Sequence, residues 1–236
     1  MSASNPGLAE RYGLVQERIA EACRLAGRPR ADVTLIVVTK FHPAKLVLDL
    51  LDLGQRYFGE NKDQEAAPKA AAVAEISNLA TWHFIGQLQS NKAKSVLRYA
   101  ESIHSLDRDS LLQALAKERA KLEPGTAATK VFIELNLTDD PDRGGIRPDN
   151  LLPFAEKVLA TDGLQLVGVM GVASLEGQEG RDFAAIQAAS SRLQTLAPEA
   201  ALISAGMSND FEQALRFGAT HLRIGTAITG PRQYLT

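Results

Sequence analysis

Cysteine is nearly absent from this sequence, which has only Cys23 among its 236 residues. A single cysteine excludes an intramolecular disulfide and a cysteine metal cluster, so we expect a protein of a reducing cytosol. No apolar run approaches the roughly 18 residues that a bilayer span requires. Residues 1–6 are small and polar, unlike a targeting segment with a basic and then an apolar stretch. We therefore predict a cytoplasmic chain that does not enter the membrane.

An excess of one charge sign is also lacking. Lysine and arginine total 26, aspartate and glutamate total 28, and the formal net charge is -2. Such a mixture gives no basic field that would gather nucleic acid or an anionic membrane surface. The apolar fraction of 45% and the charged fraction of 23% are close to those of soluble globular proteins. We expect a sizeable core and neither nucleic acid nor membrane as a partner.

Eight short apolar runs, rich in β-branched residues and bounded by turn residues, are the main structural signal. We interpret each run as a strand, with ends placed to within about 2–4 residues. The predicted strands are Val33–Thr39, Arg56–Gly59, Trp82–Gly86, Ser102–Leu106, Lys130–Leu137, Leu164–Met170, Leu202–Gly206 and His221–Gly225.

Helical patterns alternate with these strands. They are Leu8–Leu25 at the N-terminus, then Ala44–Leu53, Lys62–Ser77, Asn91–Tyr99, Ser110–Leu122, Asn150–Ala160, Asp182–Leu196 and Asp210–Phe217. Strands separated by helices imply right-handed crossovers and a parallel sheet, and eight such units close a barrel. We predict an α/β fold: a single (β/α)8 TIM-type barrel over residues 1–236, with an extra N-terminal helix. An open doubly wound sheet is the alternative.

Lys40 is the first residue that suggests chemistry. It directly follows the first predicted strand and so lies at the carboxyl end, which is the functional end of an α/β barrel. If Val38 faces the barrel interior, strand alternation places Lys40 on the same side. A partly desolvated lysine amine is a competent nucleophile towards an aldehyde. The alternative is a lysine that only extends its head to solvent at a strand end.

Glycine and hydroxyl residues lie at the ends of the last two predicted strands. Ser204–Ser208 ends the seventh strand, and Arg223–Gly230 covers the end of the eighth and the turn beyond it. Barrels often bind phosphate here, because glycine lets the backbone approach and the hydroxyls of Ser208 and Thr226 can donate. Each segment alone also occurs in ordinary turns. Their position at consecutive strand ends favours a phosphate site.

Arg223 lies between two apolar residues, and it points into the barrel if those neighbours pack against helices. A buried arginine needs a partner. Barrel closure makes the eighth strand the neighbour of the first, which brings Arg223 beside Lys40. A lysine, a phosphate site and an arginine at a pyridine nitrogen are the protein parts that pyridoxal phosphate requires. The alternative is an internal ion pair with Glu60 or Glu134.

Several segments together resemble the pyridoxal phosphate homeostasis proteins. They are Val38–Lys40, Gly59–Asn61 with Gln64–Glu65, Trp82–Lys92, Ser204–Asp210 and Arg223–Gly230. The resemblance covers nearly the whole chain, and the stretch WHFIGQLQSNK is long and specific. It implies an alanine-racemase-like barrel without the racemase's second domain and a Schiff base between Lys40 and pyridoxal 5'-phosphate. It also implies a role in buffering or delivering this vitamin B6 cofactor, with no established substrate turnover.

The resemblance also implies particular site residues. The predicted cofactor-binding residues are Lys40, Asn61, Ser204, Met207, Ser208, Arg223, Gly225 and Thr226. Lys40 would form the Schiff base, Asn61 would line the pocket and Arg223 would meet the ring nitrogen. Ser208 and Gly225–Thr226 would hold the phosphate.

Four positions depart from the usual pattern of the family. Lys62 stands where tyrosine is common, Ser174 where proline is common, Ala205 where methionine is common and Thr229 where phenylalanine is common. We expect the pocket to differ in detail. Binding itself is expected, because the core residues are retained, namely Lys40, Asn61, Arg223, Gly225 and Thr226.

Other polar residues fit structural roles. His83 lies between two aromatic residues of a strand, and we expect it to line or buttress the barrel rather than to transfer protons. His42, His104 and His221 are dispersed, without metal-ligand spacing to a carboxylate or cysteine, so we predict no metal. The segment Gln89–Lys92 is typical of a helix start, and the resemblance places it at the border of the cofactor mouth.

Three functions are compatible with these residues. The leading hypothesis is a monomeric cofactor carrier whose partners include pyridoxal phosphate-dependent apo-enzymes. The second is an amino acid racemase or decarboxylase, which needs another acid–base group on the opposite ring face. Tyr12, Tyr57, Tyr99 and Tyr234 are scattered, and only Tyr57, expected near the end of the second strand, could approach the site. The third is a phosphosugar aldolase or isomerase that uses Lys40 directly.

Overall fold

A computed structural model describes residues 7–123, 125–138, 140, 143–174 and 179–230. Within these residues, eight strands pair in chain order to form a closed barrel. All neighbouring strands are parallel, including the closing pair of the first and the last. The strands are β1 Thr34–Val38, β2 Tyr57–Glu60, β3 Thr81–Phe84, β4 Ala100–Leu106, β5 Thr129–Glu134, β6 Leu164–Met170, β7 Leu202–Ser204 and β8 His221–Ile224. The predicted barrel is confirmed, and the open sheet is wrong.

The described residues also form nine α-helices, most of which lie between successive strands. They are α1 Leu8–Leu25, α2 Ala44–Asp52, α3 Asp63–Ala74, α4 Ala93–Val96, α5 Asp109–Arg119, α6 Leu151–Leu159, α7 Glu179–Leu196, α8 Phe211–Arg216 and α9 Thr226–Thr229. The extra helix α1 has the predicted bounds and packs against α8 and α9. None of the helices in the described ranges is both long and apolar enough to cross a membrane.

Several predicted elements differ from the structure by a few residues at their ends, and two of them illustrate this. The helix predicted over Asn91–Tyr99 begins as a 3-10 turn over Ser90–Lys92 and continues as the short α4, which ends at Val96. The fifth strand, predicted to reach Leu137, ends at Glu134. Beyond Glu134 the chain folds back, because the N–H of Ile146 donates to the Glu134 carbonyl at 2.7 Å. The segment Thr138–Pro148 has two prolines and a double glycine, which are typical of a loop, and it lies partly outside the described residues.

Alternation along β1 separates the two apolar layers of the barrel. Leu35 and Val37 belong to the large core between the strands and the helices. Ile36 and Val38 point the other way, because successive strand residues alternate between the faces. Both are buried, and Ile36 stands opposite Arg223 across the closing strand pair. Ile36 and Val38 therefore line the barrel interior, and Lys40 follows them along the chain.

Candidate functional site

Lys40 lies two residues beyond β1, at the carboxyl end of the barrel. It follows Ile36 and Val38 at a spacing of two residues, and its side chain is half-buried. The next residue, Phe41, has a φ of 66°, in the left-handed region that a bulky side chain rarely adopts. The backbone therefore turns sharply at the point where the lysine leaves the strand.

Arg223 points into the barrel, as predicted. Its Nη1 donates to the hydroxyl of Ser204 at 2.5 Å, and its Nη2 donates to the carbonyl of Gly171 at 2.9 Å. Burial lowers the pKa of Arg223 to about 10, against the opposing effect of the nearby Glu134 and Asp210 carboxyls. The guanidinium is therefore held by neutral partners.

The alternative of an ion pair between Arg223 and Glu60 is wrong. Glu60 faces the helix layer, where its Oε1 accepts from Lys69 of α3 at 2.6 Å. The strand register also corrects the expected position of Arg223 relative to Lys40. Arg223 stands opposite Ile36, four residues before Lys40, so it lies deeper in the barrel than the lysine.

A line of polar side chains continues from Arg223 across the barrel interior. The Ser204 hydroxyl lies 2.8 Å from Nδ1 of His104, and Nε2 of His104 lies 3.0 Å from Nδ1 of His83. All three residues are buried. The predicted role of His83 in lining the barrel is confirmed, whereas the hydrogen bonds that join it to Ser204 were not predicted.

Burial keeps the interior histidines neutral. It lowers the pKa of His83 to about 3, with the nearby His221 and Lys130 acting in the same direction. It also lowers the pKa of His221 to about 4 and that of His104 well below its ordinary value. His104 stacks on Phe132, with ring centroids 4.2 Å apart. These rings fill the barrel as packed, uncharged groups.

The predicted phosphate residues lie in two adjacent loops. After β7, Gly206 has a φ of 92°, and its carbonyl accepts from the backbone N–H of Arg223 at 3.0 Å. The N–H of Met207 donates to Asp210 Oδ1 at 2.5 Å, so this amide is already used. Ser208 is half-buried in the turn that follows.

The second loop follows β8. Gly225 adjoins Val38 of β1, where an added Cβ would stand 3.4 Å from the Val38 Cβ. Thr226 is exposed and begins the short helix α9. The register of β8 on β1 thus brings the Gly225–Thr226 pair next to the end of β1, which Lys40 follows.

Asn61 follows β2 at the same end of the barrel. Its Oδ1 is buried and has no hydrogen-bond partner among the described residues. Gly86, in the stretch WHFIGQLQSNK, lets the loop after β3 pack closely against Asn61. A Cβ at Gly86 would stand 2.3 Å from the Asn61 carbonyl oxygen. A cavity of about 700 Å³ opens beside Asn61, with Gln64, Gln87 and Lys92 in its wall.

Glu134 is an acidic group at the end of β5. Burial raises its pKa to about 7, and the nearby Asp107 carboxyl acts in the same direction. Gln87 Nε2 donates to Glu134 Oε2 at 2.6 Å. The sequence suggested Glu134 only as an ion-pair partner of Arg223. In the structure, Arg223 donates to Ser204 and Gly171 instead, and Glu134 accepts from Gln87.

Two of the four positions that depart from the family pattern make contacts near the predicted pocket. Lys62 places its ammonium 5.9 Å from the centroid of the Phe41 ring. Thr229 is buried in α9, and its hydroxyl donates to the Gly225 carbonyl at 3.3 Å. Lys62 thus contacts the residue after Lys40, and Thr229 contacts the predicted phosphate loop.

Tyr57 does not reach the mouth of the barrel. It is the first residue of β2, so it lies at the amino end, and it is 40% exposed there. The expectation that Tyr57 lies near the end of this strand is wrong. Its ring packs edge-on to His83, with centroids 5.8 Å apart.

Comparison with known proteins agrees with this geometry. The family model for the alanine racemase N-terminal domain matches residues 14–233. The pyridoxal phosphate homeostasis protein of Pseudomonas aeruginosa is 37% identical over 231 residues, covering 96% of each chain. That of Mycobacterium tuberculosis is 36% identical over 243 residues, covering 96% of this chain and 93% of the relative. The structure of PipY from Synechococcus elongatus, with PLP bound, has a TM-score of 0.78 and 32% identity, covering 90% of this chain and all of PipY.

The fold and the matched family model define an alanine-racemase-like α/β barrel. Within that class, the chain belongs to the pyridoxal phosphate homeostasis protein family.

Proposed function

We propose that this chain binds pyridoxal 5'-phosphate as a Schiff base on Lys40 and serves to buffer or deliver the cofactor. The observation that carries the proposal is the closing β1–β8 pair. It places Lys40 and the Gly225–Thr226 loop at one mouth, with the buried cation of Arg223 below them. The bound cofactor of PipY, at 32% identity, supports the same ligand here.

The side chains at the mouth fit this cofactor. Asn61 offers a buried oxygen that lacks a partner among the described residues and could accept a hydrogen bond from a ligand. Arg223 offers donors towards a ring nitrogen, and Ser208 and Thr226 offer hydroxyls to a phosphate. The cofactor, when bound, supplies an aldehyde that reacts reversibly with a lysine amine. Ser204 contributes indirectly, because its hydroxyl holds the Arg223 guanidinium.

The carrier role is favoured over racemisation or decarboxylation. These reactions need a second acid–base group opposite the lysine, and Tyr57, the tyrosine that was expected to approach, lies at the other end of β2. The interior histidines His83 and His104 are buried and neutral, and they bond to each other rather than facing the mouth. The residues that we assign to the site can thus hold the cofactor, and none of them supplies the second acid–base group.

Several properties of the whole protein belong to this proposal. We propose a single domain over residues 1–236, because α1 packs against α8 and α9 and so joins the two ends of the described barrel. We also propose a monomer that works in the cytoplasm, where one buried cysteine suits a reducing compartment. Its recipients would be pyridoxal phosphate-dependent apo-enzymes. Sedimentation that shows a tight dimer would contradict the monomer.

The test is to record absorbance with and without pyridoxal phosphate, reduce with borohydride and locate the modified lysine by mass spectrometry. We expect a Schiff-base band and an adduct on Lys40. Lys40→Ala should lose both, whereas Lys94→Ala, which removes an exposed lysine of α4, should keep both. An adduct spread over surface lysines would refute the site. Steady racemisation of an amino acid by the purified protein would favour an enzyme.

A further inference from the structure

A buried ion-pair cluster lies beside Lys40, on the helix side of the barrel. Lys69 of α3 is its centre, and the Lys69 ammonium donates to Glu60 Oε1 at 2.6 Å and to Glu65 Oε1 at 2.9 Å. The side chains of Lys69 and Glu60 are 5% and 0% exposed, and that of Glu65 is 27% exposed. A charged cluster removed from water in this way is costly unless its geometry is well satisfied.

The cluster holds the backbone on both sides of Lys40. On the strand side, the third hydrogen bond of the Lys69 ammonium goes to the carbonyl of Thr39 at 2.9 Å. On the loop side, Glu65 Oε1 accepts from the backbone N–H of Phe41 at 2.5 Å. Lys40 is therefore flanked by two backbone groups that are both bound to neighbouring turns of one helix.

The loop-side contact holds a residue in an unfavourable conformation. Phe41 has a φ of 66°, a region that costs a bulky residue free energy and that persists only when its surroundings impose it. The Glu65 carboxylate supplies a charge-assisted acceptor to the Phe41 N–H in this conformation. The spacing of Glu65 and Lys69, four residues apart on α3, presents both side chains to the same segment.

We infer that Glu65 and Lys69 are positioning residues that hold the backbone on both sides of Lys40 and so fix the direction in which its amine leaves β1. The inference rests on the Schiff-base function proposed above and deepens it. Neither side chain is assigned a contact with the cofactor. Their effect is to keep the nucleophile where the aldehyde of a bound cofactor can meet it.

The experiment compares two ligands on Glu65→Ala. Pyridoxal phosphate binding requires the Lys40 amine for its Schiff base, whereas pyridoxine 5'-phosphate carries an alcohol in place of the aldehyde and binds through the ring and the phosphate alone. We expect Glu65→Ala to lower the affinity for pyridoxal phosphate about tenfold, since even small misplacement of a reacting group is costly. The affinity for pyridoxine 5'-phosphate should not change.

Two further variants serve as controls. Glu65→Gln keeps an oxygen acceptor for the Phe41 N–H, so it should restore most of the affinity for pyridoxal phosphate. Arg119→Met removes another buried cation, which bonds to the carbonyls of Thr126 and Ala127. Those residues precede β5, at the opposite end of the barrel. This variant should lose thermal stability but keep the affinity for both ligands.

Lys69→Met removes the other half of the pair and leaves the Glu60 carboxylate buried without its cation. Because this variant risks unfolding, it is paired with Glu60→Gln in a double variant that removes both charges. We expect the double variant to show the same selective loss as Glu65→Ala.

Each outcome decides the inference. Selective loss of pyridoxal phosphate affinity supports it. Unchanged affinity in Glu65→Ala overturns it, and so does an equal loss for both ligands, because the effect would then lie in the pocket as a whole. If the unsubstituted protein forms no Schiff base on Lys40, the proposed function fails, and the inference fails with it.

Discussion

The guanidinium of Arg223 donates to the hydroxyl of Ser204 across the β7–β8 pair, at 2.5 Å. Because arginine only donates, the Ser204 hydroxyl hydrogen is free to bond Nδ1 of His104. His104 then carries its hydrogen on Nε2 and donates to Nδ1 of His83. This direction satisfies every group except Nε2 of His83, which has no partner among the described residues. The opposite direction would also leave the serine hydroxyl hydrogen without an acceptor among the described residues, so one cation orders the whole line.

Replacing Ser204 with alanine should destabilise the protein. The change leaves a buried Arg223 N–H and the His104 Nδ1 without their partner, which costs about 1–3 kcal/mol. The matched control is Ser102→Ala, since the Ser102 hydroxyl is also buried but has no partner among the described residues. Urea unfolding of the two variants measures the difference. Equal losses would show that the Ser204 bonds contribute little.

Stability should fall as the pH decreases below the ordinary histidine pKa of about 6.5. The folded protein keeps His83 and His221 neutral, with pKa values of about 3 and about 4, whereas the unfolded chain protonates them. Each then contributes a loss of up to about 1.4 kcal/mol per pH unit. Glu134 acts in the opposite sense, because its raised pKa makes the folded state bind a proton below about pH 7.

The free energy of unfolding should therefore be measured near pH 7.5 and near pH 5 for both a histidine variant and the unsubstituted protein, and the two losses compared. His221→Asn removes one titrating group and keeps Glu134, so its loss of stability on acidification should be smaller than that of the unsubstituted protein. The same loss in both would contradict the assignment of His221 as a half-buried group that stays neutral.

Gly206→Ala should cost roughly 1–3 kcal/mol, because its φ of 92° is unfavourable for a residue with a side chain. The new Cβ would also stand 2.8 Å from the Ala214 Cβ. The control is Gly13→Ala in α1, where an added Cβ meets nothing within 4 Å. That change should stabilise the protein by about 0.5–1 kcal/mol. Thermal unfolding of both variants tests the contrast.

The charge of Glu134 should affect cofactor affinity near neutral pH. Its carboxyl is neutral below its pKa of about 7 and charged above it, where an anion at the carboxyl end of β5 disfavours an anionic ligand in the barrel mouth. The difference in pyridoxal phosphate affinity between Glu134→Gln and the unsubstituted protein should therefore be small near pH 6 and larger near pH 8. A constant difference across this range would contradict the prediction.

Strand periodicity was sufficient to predict the barrel and the inward direction of Arg223, because alternation needs only local sequence. It failed for Glu60, which was considered as a partner for Arg223 although it shares a strand face with the outward-facing Phe58. The pairing of Glu60 with Lys69 joins a strand to a helix, and such a contact depends on how the elements pack.

The hydrogen bonds of the interior were equally out of reach of the sequence. His104 and Ser204 are 100 residues apart, and nothing in their neighbourhoods indicates that β4 and β7 direct them to the same point. The motifs that identified the family are continuous segments at the strand ends, so they can be recognised without knowledge of long-range contacts. The Glu65–Lys69 spacing of four residues was visible, but its target on either side of Lys40 was not.

The barrel closes through its first and last strands, and this has a consequence during protein synthesis. A nascent chain exposes Lys40 early, and Arg223 and Gly225 leave the ribosome much later. Until β8 pairs with β1, the lysine has neither the buried cation nor the glycine loop beside it. Capture of the cofactor thus has to wait for β8, and shorter intermediates would present a lysine without its pocket.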